Sequence, residues 1–335
     1  MTRPFATLGS LALLVVSACS GAPPPREALT ADPPLSEGPP GPTVGEARTA
    51  LARGIALVKA EKYDEAKAQL EQSMAQSPSA EGAFYLGVVK EKAGDKAGAE
   101  AMYKESLKLD PQGAEASENL AAIYLDDPPR PDEAIAILKP AIAKTPGNAQ
   151  LWVNLGYALG LKHDVEGASQ AFNTALSKKD DPEVHFMYGT MLFEAKVMDR
   201  AGVELKKALP GVKQDPATLA TLGRMLGGTH AFAECVSAFD RAIKLKGDVA
   251  EFYVRRGTCR HELADEPGAQ ADFEKAIAID PNFAAAHYYL GLSLVAQKKS
   301  LPGARELEKA EKLGKGTPIE KLAHEKLQTA FKPPK

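Results

Sequence analysis

The sequence predicts an all-α fold, an α-solenoid of about eight helix-turn-helix units closed by a capping helix, and three observations carry that prediction. The first is a ladder of glycines, Gly54, Gly87, Gly156, Gly189, Gly223, Gly257 and Gly291, with Ala121 filling the one gap. Successive rungs are 33, 34, 35, 33, 34, 34 and 34 residues apart. A fixed period of this length marks supersecondary units that stack and bury a shared core. The second is a set of constant offsets from each rung. Twelve residues on stands a small residue (Ala66, Ala99, Ala168, Ala201, Cys235, Ala269, Gly303). Sixteen on comes a large apolar one (Leu70, Tyr103, Phe172, Leu205, Phe239, Phe273, Leu307), and nineteen on a small one again, Ser73 to Ala310. Small residues let two helices approach closely while the large one fills the hole beside them. The third is proline: Pro78, Pro111, Pro146 and Pro281 fall 24 or 25 residues after their markers, where a residue without an N–H ends the second helix of the unit.

The elements follow in chain order. Arg3 precedes an apolar run from Leu8 to Val16 that closes with Val16-Ser17-Ala18-Cys19. The run is too short to span a bilayer, which takes about 20 residues, and its small-residue end suits a signal peptidase. Residues 1–18 therefore read as a signal peptide. Residues 19–46 read as a tether: eight prolines among Gly, Ala, Glu and Ser cannot bury enough apolar surface to offset ordering entropy. Residues 47–317 hold the eight units. The third departs most, because Asp126-Asp127-Pro128-Pro129-Arg130-Pro131 replaces a short turn and adds one residue, which reads as a stiffened loop. Residues 318–335 read as a capping helix and tail. Thr317-Pro318-Ile319-Glu320 has the form of a capping box with proline at the first helical position, and Ile319, Leu322, Ala323, Leu327, Ala330 and Phe331 trace a helical apolar stripe.

Trp152, Leu155, Gly156, Ala168, Phe172 and Ala175 match the pattern W-x2-L-G, A-x3-F-x2-A, and on these residues the chain resembles the tetratricopeptide repeat family over 47–317. The resemblance implies a right-handed superhelix whose concave face is lined by the first helix of each unit and holds another protein. Glu81, Glu115, Glu183 and Glu251 fall on one such line, and Phe84, Tyr157, Phe186, Phe193 and Tyr288 on others. Glutamates there also suit the positive end of a helix, and the aromatics also suit packing between units. Arg224 and Arg255 fall where the family's geometry makes neighbouring units meet. With Tyr289 they are a candidate grip for a carboxylate or a planar group, the alternative being an internal salt bridge to Glu251 or Glu262. Some family members hold a partner's C-terminal carboxylates with a Lys, Asn and Arg clamp. Leu51, Ile55, Tyr85, Glu115 and Asn119 stand at those places here, so that mode is not expected.

The N-terminal box resembles a bacterial lipoprotein signal, which implies lipidation of Cys19. Ser20 rather than aspartate follows it, resembling the outer-membrane-sorted class, with the repeats facing the periplasm. Lipoproteins of this layout resemble type IV pilus pilotins, gliding-motility or secretion-complex lipoproteins, and adaptors. The function expected is a non-enzymatic scaffold for an envelope complex; the alternative is an adaptor of peptidoglycan hydrolases or envelope proteases. The partners expected are proteins, with the membrane reached through the lipid.

Composition narrows the classes further. A net charge of −3 with interspersed signs offers no basic footprint for nucleic acid. His261-Glu262 and His324-Glu325 begin like a zinc-protease motif but lack its second histidine, so neither metal nor cofactor is expected, nor any catalytic residue. Cys235 takes the place of a packing alanine and Cys259 that of an apolar residue. Two buried free thiols are the favoured reading, with a disulfide between neighbouring units as the alternative.

Overall fold

The computed structural model describes residues 44–330. The signal peptide, Cys19, most of the tether and Phe331 lie outside the described residues. Within them the chain forms seventeen helices and no strand, and it divides into two compact units that meet at Lys178 and Lys179.

The first unit holds four helix pairs: α1 (Val44–Lys59) with α2 (Tyr63–Gln76), α3 (Ala80–Lys92) with α4 (Lys96–Leu109), α5 (Ala114–Leu125) with α6 (Pro131–Lys144), and α7 (Ala149–Leu161) with α8 (Val165–Lys178). The second holds four pairs and a final helix: α9 (Pro182–Glu194) with α10 (Met198–Ala208), α11 (Pro216–Gly228) with α12 (Phe232–Leu245), α13 (Ala250–Glu262) with α14 (Glu266–Ile279), α15 (Ala284–Ala296) with α16 (Ser300–Leu313), then α17 (Pro318–Ala330). Helix α1 starts three residues before the expected start of the repeats at residue 47. Beyond Pro42 no proline interrupts it, and Glu46 in its first turn complements the helix dipole.

Each glycine rung is explained by the residue sixteen places on. A Cβ on Gly87 would stand 2.5 Å from Cε1 of Tyr103, and one on Gly257 2.6 Å from Cε1 of Phe273. Tyr103 and Phe273 are buried, as are Ala99 and Ala269 beside them. In the third pair the inserted residue moves this set by one, so that Ala134, Leu138 and Ala141 are the buried residues. Helices α2, α4, α6 and α14 each end two residues before the proline that the sequence places there.

The turn inside each pair has its own repeat. Glu61, Gly94, His163, Lys196, His230, Ala264 and Lys298, each seven residues past its marker, all have φ between 58° and 80°. The third pair has Pro128 at that place, and a proline ring fixes φ near −65°. The left-handed turn is therefore impossible there, and the chain takes the longer loop. Arg130 closes it: the guanidinium stacks 4.3 Å from the centroid of Tyr124 and donates to both oxygens of Glu100 at 3.0 and 2.7 Å. These donors, with Lys104 Nζ, hold the Glu100 carboxyl at about 2.

The free-thiol expectation for Cys235 and Cys259 is corrected, because the two form a disulfide joining α12 to α13. The packing alanine of one repeat and the apolar position of the next face each other with Cα atoms 6.3 Å apart, within normal reach of the bond. At the C-terminus the capping box forms in altered register: Ile319 N donates to Thr317 Oγ1, while Glu320 accepts from Gly316 N. Of the expected stripe on α17, Ala323 is buried, Ile319 and Leu327 are half-buried, and Leu322 and Ala330 are exposed.

Candidate functional site

The first helix of each pair carries the residues expected to meet a partner. In the first unit Glu81 and Glu115 are exposed. Each stands in the first turn of its helix, α3 or α5, where the dipole favours a carboxylate. Phe84 is half-buried, edge-on to Tyr85 at 5.1 Å and tilted against Tyr103 at 5.9 Å. It therefore contributes to the core as well as to the surface. Tyr157 on α7 is half-buried against the same core.

Sequence reasoning passed over Glu118, one turn beyond Glu115. Burial pushes its carboxyl up and the charge of Glu115 adds to this, opposed by Asn148, whose Nδ2 donates to it at 3.4 Å. Around it runs a polar line along the first helices. Gln150 donates to Asn154, Asn154 donates to the Glu118 carbonyl, and Asn119 donates to the Tyr103 hydroxyl, which in turn donates to Glu91. The signal was present in the sequence as Asn119 and Asn154 at one repeat position, 35 residues apart, but only the fold joins them to Glu118 and Tyr103.

In the second unit the expected residues divide. Phe186 is 1% exposed, so its place on a binding surface is corrected: it belongs to the core, because the helix turns that position under its neighbours. Glu183 is half-buried and accepts from the backbone N–H of Lys213. Phe193 lies over Gly228, where a Cβ would come within 2.8 Å of its ring. Arg224 is exposed and makes no ion pair among the described residues, while Arg255 is held by Glu251, four residues earlier on the same helix, at 3.3 Å. Tyr289 stacks on Phe273 of α14, with centroids 5.8 Å apart and planes at 22°. Tyr288 lies edge-on to Tyr289 at 5.2 Å; burial raises its phenol, as do Tyr289 and Glu325 of α17. In the first unit the open side chains on the first helices are thus Glu81 and Glu115, with parts of Phe84 and Tyr157; in the second they are Arg224 and the ion-paired Arg255, with parts of Phe193 and Tyr288.

Polar pairs fasten first helix to second in this unit. Asp272 on α14 is buried and accepts from Arg256 and Arg260 of α13, and Arg256 also reaches Asp240 of α12. These contacts are internal, with the charges satisfied among themselves. Among the described residues, no three His, Cys, Asp or Glu side chains converge as metal ligands, and no helix is long and apolar enough to cross a membrane.

Paired antiparallel helices at a 34-residue period, with open polar and aromatic side chains on first helices of both units, define a helical-repeat docking protein. Two family profiles, both described as tetratricopeptide repeat, match the chain, one over residues 51–114, 89–149 and 262–316 and the other over 130–189. The chain belongs to the tetratricopeptide repeat family, whose members bind peptide or protein partners. It is 33% identical over 84 residues to the E3 ubiquitin-protein ligase CHIP of Arabidopsis thaliana, covering 25% of this chain and 30% of that protein. It is 25% identical over 202 residues to the human protein O-mannosyl-transferase TMTC1, covering 59% of this chain and 23% of that protein. The chain thus spans less than a third of the length of either curated relative. Among solved structures it is similar to Pseudomonas aeruginosa pilF, with 21% identity, a TM-score of 0.52, and coverage of 62% of this chain and 96% of that one. At that identity the likeness concerns the fold.

Proposed function

We propose that this chain is a non-enzymatic scaffold, anchored by lipid on Cys19 in the outer membrane and facing the periplasm, that assembles or localises an envelope complex such as a pilus secretin, gliding-motility or secretion machine. The observation that carries the reading is the union of two features in one chain. Val16-Ser17-Ala18-Cys19 and a proline-rich stretch precede the repeats, and the repeats keep Glu81, Glu115 and Arg224 open on their first helices. The Cys235–Cys259 disulfide supports an oxidising compartment, since such bonds persist outside the reducing cytosol.

Crosslinking and affinity capture from native envelopes, with Cys19→Ala as the mislocalised control, tests both halves. The scaffold reading expects detergent-dependent release of the wild-type protein and recovery of secretin, motility or secretion components that the Cys19→Ala chain fails to bring down. Soluble release of the wild type without detergent contradicts the anchor. Recovery of cell-wall hydrolases instead contradicts the assembly role and supports the adaptor alternative.

A further inference from the structure

In the first unit the positions six before, three before and one after each rung are spaced i, i+3 and i+7, so on each first helix they form one stripe. On α3 the stripe is Glu81, Phe84 and Val88, and on α5 it is Glu115, Glu118 and Ala122. Glu81 and Glu115 are exposed, and the other four are half-buried. The last position is apolar and half-buried on the flanking helices too, as Ile55 on α1 and Tyr157 on α7. An apolar band therefore lies beside an acidic one, and Glu118 stands in the row that holds Leu51 on α1 and Phe84 on α3.

The acidic band lacks a counter-charge. Elsewhere Glu100 takes Arg130 and Lys104, and buried Asp272 takes Arg256 and Arg260. Glu118 meets only the amide of Asn148, at 3.4 Å. Among the described residues no ion pair reaches Glu81, Glu115 or Glu118, although Arg48 stands at the matching place on α1. Burial and the charge of Glu115 push the Glu118 carboxyl up, so its ionised form is destabilising in the free chain. The polar side chains alongside are turned to one another. Gln150 donates to Asn154, Asn154 to the Glu118 carbonyl, and Asn119 to the Tyr103 hydroxyl. An extended peptide laid there would bury backbone N–H and C=O groups without partners, whereas a helix pairs its own.

We propose that this face of the first unit receives an amphipathic α-helix of a partner protein, whose apolar side covers Phe84, Val88, Ala122 and Tyr157 and whose lysine or arginine edge meets Glu115 and Glu118. The proposal names the chemistry of the partner and rests on the docking role proposed above. Charge sets the orientation, because Glu81 and Glu115 stand in the first turns of α3 and α5 and the basic edge must lie at that end. The arriving cation gives Glu118 the partner it lacks, in a hydrogen bond that the apolar contact shields from water. A helix edged with carboxylates would meet like charge and is rejected.

The probe is a synthetic peptide of about 18 residues, about 27 Å long as a helix, with a leucine stripe and lysines along one edge. One control carries glutamates in place of the lysines, and another carries central prolines that forbid a helix. Fluorescence anisotropy with the purified full chain should show the lysine peptide binding, more weakly as salt is added, and both controls binding far less. Glu118→Gln should weaken the lysine peptide by about tenfold while raising the melting temperature, because it removes a half-buried charge yet keeps an acceptor for Asn148. Glu81→Lys with Glu115→Lys, both at exposed positions, should turn the preference toward the glutamate peptide. Equal binding of the proline peptide overturns the helical occupant. Equal binding of the glutamate peptide, or unchanged affinity in Glu118→Gln, overturns the charge match. A lowered melting temperature in Glu118→Gln makes that residue structural, and absent binding of the lysine peptide overturns the proposal outright. Purified protein and defined peptides keep these outcomes separate from the anchor and the envelope complex, which the capture experiment decides.

Discussion

Gly87 lies directly beneath the ring of Tyr103, so close that a Cβ on the glycine would stand 2.5 Å from Cε1 and 2.6 Å from Cδ1. The contact fixes the distance between α3 and α4, and the hydroxyl of the same tyrosine donates to Glu91 and accepts from Asn119. One rung of the ladder therefore joins backbone packing to the polar line on the first helices.

Gly87→Ala should destabilise the first unit by about 1–3 kcal/mol, the usual cost of overpacking a tight contact, despite a gain of up to about 1 kcal/mol in helix propensity. Denaturant unfolding followed by circular dichroism measures it. A neutral or stabilised Gly87→Ala would show that the tyrosine moves aside freely.

The left-handed turn predicts the opposite sign for a change to glycine. Lys196 holds φ at 63°, a conformation that costs a residue with a Cβ roughly 1–2 kcal/mol. Lys196→Gly should therefore stabilise by about 0.5–1 kcal/mol once the extra freedom of glycine in the unfolded chain is set against it. Gly94→Ala, at φ 78° in open space, should lose a comparable amount. Thermal melts of the two variants check both signs.

Arg130 and Glu100 set an acid limb. The Glu100 carboxyl is lowered from 4.5 to about 2, first by the hydrogen bond from Arg130 and then by that from Lys104. A carboxylate depressed in the folded state contributes stability above its unfolded value, and that contribution is lost as pH falls through the folded one. Between about 4.5 and about 2 the wild type should lose this increment. Arg130→Ala should begin less stable at neutral pH and show a flatter decline over the same range, read from denaturation midpoints at stepped pH.

Cys235 and Cys259 close a loop of 24 residues, for which chain-entropy bookkeeping gives about 3 kcal/mol. Reduction, or Cys235→Ser with Cys259→Ser, should lower the stability of the second unit by roughly that amount. Hydrogen exchange with and without reductant checks it, and the loss of protection should centre on α12 and α13.

The fold was legible because its rules are local and repeated. Gly257 and Phe273 sit at a constant offset, and the helix ends before Pro78 and Pro281 follow from a missing N–H. The third pair was legible as an exception, although its cause emerges only when Pro128 is seen at a place that demands positive φ. The surface was harder to read. Phe186 and Tyr288 share a repeat position, yet one is buried and the other half-buried near Glu325 of α17. The disulfide stood second to free thiols because cysteine at a packing position satisfies the same volume rule as alanine. Glu118 escaped because burial of its carboxyl depends on side chains from other helices, which a single-repeat pattern does not encode.

Site-specific photocrosslinking in native envelopes shows whether a protein partner docks on the first helices. Probes at Glu81, Glu115 and Arg224 are compared with probes at exposed Glu71 and Lys275 on second helices. Docking there gives one discrete adduct with an envelope-complex component from the first-helix positions and none from the second-helix ones. The same adducts from both faces, or adducts from the second helices alone, would contradict it.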